Sequence, residues 1–373
     1  MRSLLKCVLM ASTALGLAAG ALAAGPKDGK SAATPGAEVP LIPRRVLFDN
    51  PDRASARISP DGQRLSWLAP VDGVMNVWVA PVDDLAAAAP VTRDTNRGIR
   101  SYFWAFDNQH IVYIQDKGGD ENWRVYSANV ATRDIRDLTP FDGVAAQITS
   151  VSPRIPGEIL VGLNNRNPQF HDVHRINLST GEMTLVQENP GTMGRGLVNG
   201  FVTDNDYKVR FAATLNTDDG SMSLMQPGEG GEWTEFVTIP MEDQLSSGPL
   251  GFDKTGKVLY MTDSRNRDTG AVFAWDLTTG EKTLLAEDPL ADAGGLMIHP
   301  TTYEIQAVSF EYDRERWKIL DKSVVGDFEA LRKIREGDLQ LISRSLDDKQ
   351  WIVAYITDTG PVAYYRWDRA AKK

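Results

Sequence analysis

Four short stretches carry residues whose types and spacing could do chemistry. Gly118-Gly119-Asp120-Glu121 matches the start of the GGDEF signature of nucleotide cyclases, but Asn122 stands where that motif has Phe. His171-Asp172-Val173-His174 offers two imidazoles and a carboxylate, a donor set that suits zinc or iron. On a strand, though, residues three apart point to opposite faces, which argues against one shared ion. The run YDRERW, Tyr312 to Trp317, is dense in charge. The serine-rich GSMSLM from Gly220 lacks the second glycine of a nucleophile elbow, and no Gly-x-Ser-x-Gly, Walker loop, GxGxxG, HExxH or CxxC occurs. His110 falls in an apolar strand and His299 in a turn, and both read as structural. No catalytic residue, metal ligand or cofactor site is therefore assigned.

The elements that must position these stretches repeat along the chain. Each unit has a short apolar strand, a polar turn, a strongly apolar strand, an aromatic-bearing strand and a weaker fourth strand. Copies begin at "ISPDGQRLSWLA" (Ile58), "WAFDNQHIVYIQD" (Trp104), "GEILVGLN" (Gly157), "DNDYKVRFAATL" (Asp204), "DKTGKVLYMTD" (Asp253), "HPTTYEIQAVSFE" (His299) and "LDDKQWIVAYITD" (Leu346). The first turns fall near Asp61, Asn108, Pro156, Asn205, Lys254, Thr301 and Asp347, giving a period of 46 to 49 residues. Asp-Gly, Asp-Asn and Thr-Gly tolerate positive φ and close tight turns. Second strands such as HIVYIQ and KVLYMT are apolar almost continuously, as expected of strands covered on both faces. LSTGE and LTTGE, Leu178–Glu182 and Leu277–Glu281, link the third and fourth strands of two units.

This pattern predicts an all-β chain: a seven-bladed β-propeller of four-stranded antiparallel blades, the last blade lacking its fourth strand. The one helical stretch is Val325 to Asp338, with Phe328, Leu331 and Ile334 on one apolar face; it reads as a decoration on the rim. The GGDE stretch then becomes the hairpin between strands two and three of the second blade. An unpaired edge on the last blade predicts self-association, or capture of a strand from Arg44–Asn50 (RRVLFDN) or from a partner.

Residues 1–23 read as a secretory signal peptide: Arg2 and Lys6, an apolar run from Val8 to Leu22, and an Ala-x-Ala exit at Ala21-Leu22-Ala23. The expected location is periplasmic or secreted. Residues 24–45 read as a flexible N-terminal segment and 46–373 as the propeller. The single cysteine, Cys7, lies inside the signal, so the exported part offers no thiolate site. No later apolar run is long enough to span a membrane. A net charge of −10 argues against nucleic-acid binding, which needs clustered Lys and Arg.

The order ISPDGQRLSWLAP, NVWV, GDENWRVYSANVATRDIRDLTPF, DVHRINLSTGEMTLV and EYDRERWKILD resembles the N-terminal propeller of prolyl oligopeptidase family serine peptidases, especially bacterial dipeptidyl and acylaminoacyl peptidases. The likeness runs from about Leu47 to the C-terminus. In that family an α/β-hydrolase domain carrying the Ser-Asp-His triad follows the propeller, so the resemblance implies a gating module that is not hydrolytic by itself. No triad position exists here to carry over. Its implied partners are peptide or protein, including a separately encoded hydrolase domain. The residues expected at the peptide-facing rim are Glu121, Arg124, Tyr312, Arg314 and Arg316. Two alternatives stand beside it: a free-standing periplasmic propeller that binds a protein or peptide, and a propeller enzyme with a metal or carboxylate pair in its channel.

Overall fold

The structure, a computed structural model, describes residues 41–373; the signal-peptide reading lies outside the described residues. Seven separate antiparallel sheets follow one another along the chain. Blade 1 holds Ala54–Ile58, Arg64–Val71, Val74–Pro81 and Ala89–Pro90; blade 2 holds Tyr102–Trp104, His110–Gln115, Arg124–Asn129 and Ile135–Asp137. Blade 3 comprises Ala146–Val151, Glu158–Asn167, Phe170–Asn177 and Met183–Gln187. Blade 4 has five strands: Gly196–Thr203, Val209–Leu215, Met222–Pro227 and Trp233–Ile239, preceded by the two-residue Thr192–Met193, which pairs with Gly196–Thr203. Blade 5 comprises Gly248–Phe252, Val258–Asp263, Ala271–Asp276 and Lys282–Ala286. Blades 6 and 7 have three strands each: Ala293–Ile298, Ile305–Glu311 and Glu315–Ile319, then Asp338–Arg344, Gln350–Ile356 and Ala363–Asp368.

Because each sheet is an antiparallel meander, its connections alternate between two faces of the ring. Turns joining strands one to two and three to four lie on one side, the turn face. Connections joining strands two to three, and blade to blade, lie on the other, the loop face. All seven expected first turns fall on the turn face. LSTGE and LTTGE are the same turn twice: Asn177 and Asp276 each accept two backbone N–H groups with Oδ1, while Thr180 and Thr279 receive the following amide. Asn129 builds a third copy with Ala131 and Thr132 that lacks the glycine, since Arg133 takes the positive φ instead.

The core is a series of wedges between blades rather than one centre. Leu68, Val77 and Val79 of blade 1 meet Tyr102, Trp104 and Ile111 of blade 2. Similar apolar wedges join blades 2 and 3, 3 and 4, 4 and 5, 5 and 6, and 6 and 7. The ring closes differently. Blade 7 meets blade 1 through polar contacts: Ile58 N–H to Ser343 Oγ at 3.0 Å, Ser55 N–H to Tyr364 Oη at 3.2 Å and Leu346 N–H to Pro60 O at 2.7 Å. No apolar cluster spans this seam among the described residues.

Three expectations are corrected. Arg44–Phe48 forms a short exposed helix and adds no strand to blade 7. The second helix is Val325–Leu331, shorter than expected, and Ile334 is exposed beyond its end. The Leu331 carbonyl, which would extend the helix, accepts instead from Tyr355 Oη at 2.5 Å and from Ile334 N–H at 3.0 Å. Nor is this helix a rim decoration. It follows the third strand of blade 6, where a fourth strand would pair. Phe328 packs on Trp317 of blade 6 and on Trp351 of blade 7, with ring centroids 5.7 and 6.3 Å away. Its buried Asp327 accepts from Trp367 Nε1 at 2.9 Å and Arg369 Nε at 3.0 Å.

Candidate functional site

The five rim residues named from the sequence all lie at the loop face, in two places. Glu121 sits at φ 58° in the exposed bend after Gly118 and Gly119, whose φ values of 63° and 92° suit glycine. Arg124 begins the next strand and is buried, with its guanidinium between Asp137 at 3.0 Å and Asp142 at 2.5 Å. It fastens strand four of blade 2 to the loop beyond. Tyr312, Arg314 and Arg316 occupy one hairpin of blade 6. Tyr312 is 68% exposed. Arg314 reaches Asp358 of blade 7 at 2.9 Å, and Arg316 pairs with Asp313. Blades 2 and 6 are three steps apart around the ring, so the two groups share a face without forming one cluster.

Glu315 went unnoticed in the sequence and is a carboxyl of this face held well above its ordinary value. It lies directly across the strand pair from Glu311, and Asp338 Oδ1 accepts its backbone N–H at 3.3 Å. Its Oε2 is sealed from solvent without a hydrogen-bond partner. Burial, opposed by a hydrogen bond from Ser309 and reinforced by Glu311 and Asp338, pushes its carboxyl up to about 7. The available signal was two glutamates flanking a three-residue bend, in "EYDRE", where like charges must face each other.

A cleft of about 720 Å³ lies between blades 4 and 5, also at the loop face. Its arginines are engaged: Arg265 with Asp263 at 2.7 Å and Arg267 with Glu287. Burial would raise Asp263, but hydrogen bonds from Arg265 and Lys282 outweigh it and hold the carboxylate well below its usual range. Met241 and Leu245, 67% and 99% exposed, project from the same connection. Leu290, Tyr312 and Val362 are further exposed apolar side chains at this face.

The histidines have structural partners. His110 Nδ1 pairs with Asp107 at 2.6 Å, and His299 Nδ1 accepts turn amides from Thr301 and Thr302. His171 and His174 share one strand, the first half-buried beside Gln147, the second buried. Burial lowers both below the ordinary imidazole value. Among the described residues no serine hydroxyl is hydrogen-bonded to a histidine, and no group of three His, Cys, Asp or Glu is placed to hold a metal ion. No helix among them is long and apolar enough to cross a membrane.

No family model matches the chain. Curated relatives do. Dipeptidyl aminopeptidase BIII of Pseudoxanthomonas mexicana is 45% identical over 367 residues, 98% of this chain and 52% of that protein. Dipeptidyl peptidase family member 6 of Caenorhabditis elegans is 29% identical over 356 residues, 90% of this chain and 47% of that protein. A prolyl endopeptidase structure superposes with a TM-score of 0.59 at 12% identity, over 86% of this chain and 49% of that one. A puromycin-hydrolyzing peptidase of Mycobacterium tuberculosis gives 0.53 at 12% identity, over 86% and 52%. The chain thus spans about half the length of the curated relatives it matches.

Seven contiguous blades and these matches define the class, a β-propeller domain of the prolyl oligopeptidase type. Over nearly its whole length the chain is similar to about half of two dipeptidyl peptidases.

Proposed function

We propose that this chain is the non-catalytic, substrate-gating propeller of an exported dipeptidyl-peptidase-like serine peptidase. The observation that carries this reading is a 45% match over nearly the whole chain to half of a dipeptidyl aminopeptidase. In it, an α/β-hydrolase half supplies the nucleophile and base. The loop face is where that half would sit. The chain enters blade 1 from this face, and Met241, Leu245, Leu290, Tyr312 and Val362 give it exposed apolar anchors of the kind interfaces bury. Glu121, Arg314 and Arg316 are its rim contacts to peptide, with Arg124 fastening strand four of blade 2 through Asp137 and Asp142. The propeller itself does no bond chemistry; it restricts which peptides reach the other half.

The test uses the purified chain alone and mixed with the hydrolase half of the Pseudoxanthomonas relative. Alone, it takes up no fluorophosphonate serine probe and cleaves no dipeptidyl nitroanilide. Mixed, the two halves co-elute and the hydrolase loses activity on long peptides. Stoichiometric labelling of a serine in the isolated chain would defeat the reading, as would failure of the halves to associate. N-terminal sequencing of periplasmic material beginning at Ala24 checks export.

A further inference from the structure

The turn face carries a side chain that reaches farther around the ring than packing between neighbours explains. Arg154 sits in the first turn of blade 3. Its Nη1 donates to Asp206 Oδ2, in the first turn of blade 4, at 2.7 Å. Its Nη2 donates to the Lys254 carbonyl, in the first turn of blade 5. Its guanidinium lies over the Tyr303 ring, in the first turn of blade 6, 5.4 Å from the centroid. Blades 3 and 6 are three steps apart, as far as a ring of seven allows. One residue can touch both only by crossing the mouth of the central channel.

Tyr303 is itself unusual. Its φ is 62°, in the left-handed region where a bulky side chain is a costly outlier. The equivalent first-turn positions hold Gly62, Asn108 and Gly256, residues that adopt this region readily. Its hydroxyl is sealed from solvent and faces the side chains of Ser152 and Arg154. Tyr207 takes the same conformation in blade 4, but its hydroxyl is satisfied, accepting from Ser152 N–H at 3.1 Å and donating to Glu158 O at 2.7 Å. Tyr303 offsets its strain through Arg154, which stacks on its ring and lies beside its hydroxyl.

We propose that Arg154 and Tyr303 form an axial latch that closes the channel at the turn face and ties blades 3, 4, 5 and 6 across the axis. Asp206 and the Lys254 carbonyl grip the guanidinium, and the guanidinium in turn holds the Tyr303 ring in the closed position. The channel is then a cup blind at this end, and solutes reach its interior from the loop face. This holds whether or not a hydrolase half is attached.

Hydrogen exchange read by mass spectrometry tests it on the purified chain. Arg154→Ala is expected to speed exchange about tenfold at residues 254–257 of blade 5 and 301–304 of blade 6. Reciprocally, Tyr303→Ala is expected to loosen residues 152–158 of blade 3. Arg154→Lys is expected to behave like Arg154→Ala at residues 301–304, because an ammonium cannot both fork and stack. Arg166→Ala, which removes an arginine at the loop end of blade 3, leaves these turns unchanged. Tyr303→Phe keeps the stack and leaves protection intact. Acceleration confined to blades 3 and 4 in Arg154→Ala, or an unaffected blade 3 in Tyr303→Ala, would overturn the latch.

Discussion

Replacing Glu315 by Gln should make the chain more stable at pH 8 and leave it unchanged at about pH 3.5, below the unfolded value. The carboxyl is half-buried opposite Glu311 and close to Asp338, and is pushed from an ordinary 4.5 up to about 7. The folded chain therefore holds this proton more tightly than the unfolded chain. Its contribution is fully present below the unfolded value and is lost as pH rises through about 7. A fully sealed group with this shift would lose about 3 kcal/mol. Solvent reaches part of Glu315, so screening reduces the figure to about 1.5 kcal/mol. Gln keeps the shape and cannot ionise, so the whole amount appears as a difference between variant and parent at pH 8. With an unfolding entropy of about 0.7 kcal/mol/K for a propeller of this size, that is a Tm about 2 °C higher than the parent's at pH 8. At about pH 3.5, below the unfolded value of 4.5, the two should coincide. Differential scanning calorimetry of both proteins at the two pH values measures it. An offset that is the same at both, or a variant less stable at pH 8, would refute the reasoning.

Asp327→Asn should cost about 2–4 kcal/mol in denaturant titrations, because a fully buried carboxylate holds Trp367 and Arg369 and receives Lys372 Nζ as well. Ser343→Ala combined with Tyr364→Phe should cost about 2 kcal/mol by removing two acceptors of blade 1 amides. Hydrogen exchange should then rise first in Ala54–Ile58 and Asp338–Arg344; a uniform rise around the ring would contradict a separate polar seam. Asp263→Asn should lower stability at pH 7 and blunt its loss on acidification, since a carboxylate held low stabilises above its unfolded pKa and loses that as pH falls through the folded value. Acid titration by circular dichroism reads both.

The ring was legible because its signals are local and repeated. Asp61, Asn108 and Asp253 mark first turns through their own turn chemistry, and HIVYIQ shows its double burial in the apolar run Ile111 to Ile114. What stayed hidden depends on contacts between units. The length of the second helix is set by Tyr355, which comes from another blade and takes the Leu331 carbonyl. Arg124 reads as a surface cation in sequence and is buried because Asp137 and Asp142 converge on it. Glu315 reads as one more charge in a solvated hairpin; burial above all, then Glu311 across the strand pair and Asp338 from blade 7, raise it. Arg154 likewise gives no local sign that it crosses the axis.

The two faces of the ring have different physical characters, and this bears on how such a domain could gate. On the turn face, short first turns bind to their neighbours: Asn108 Oδ1 receives Asp61 N–H, Ser152 Oγ donates to Asn205 O, and Asn205 Nδ2 donates to Asp253 O. These bonds join blade to blade through groups fixed by their own turns, so this face is held as one hoop. On the loop face the connections are longer and carry exposed Leu245, Met241 and Tyr312. Apolar wedges between six pairs of neighbours resist separation, whereas the seam between blades 7 and 1 rests on hydrogen bonds that water can replace. Any opening of the ring is therefore cheapest at that seam and hinges on the hooped face. A ligand seated on the loop face near Tyr364 and the strand Ala54–Ile58 would bias that opening, while one bound near blades 3 to 6 would not.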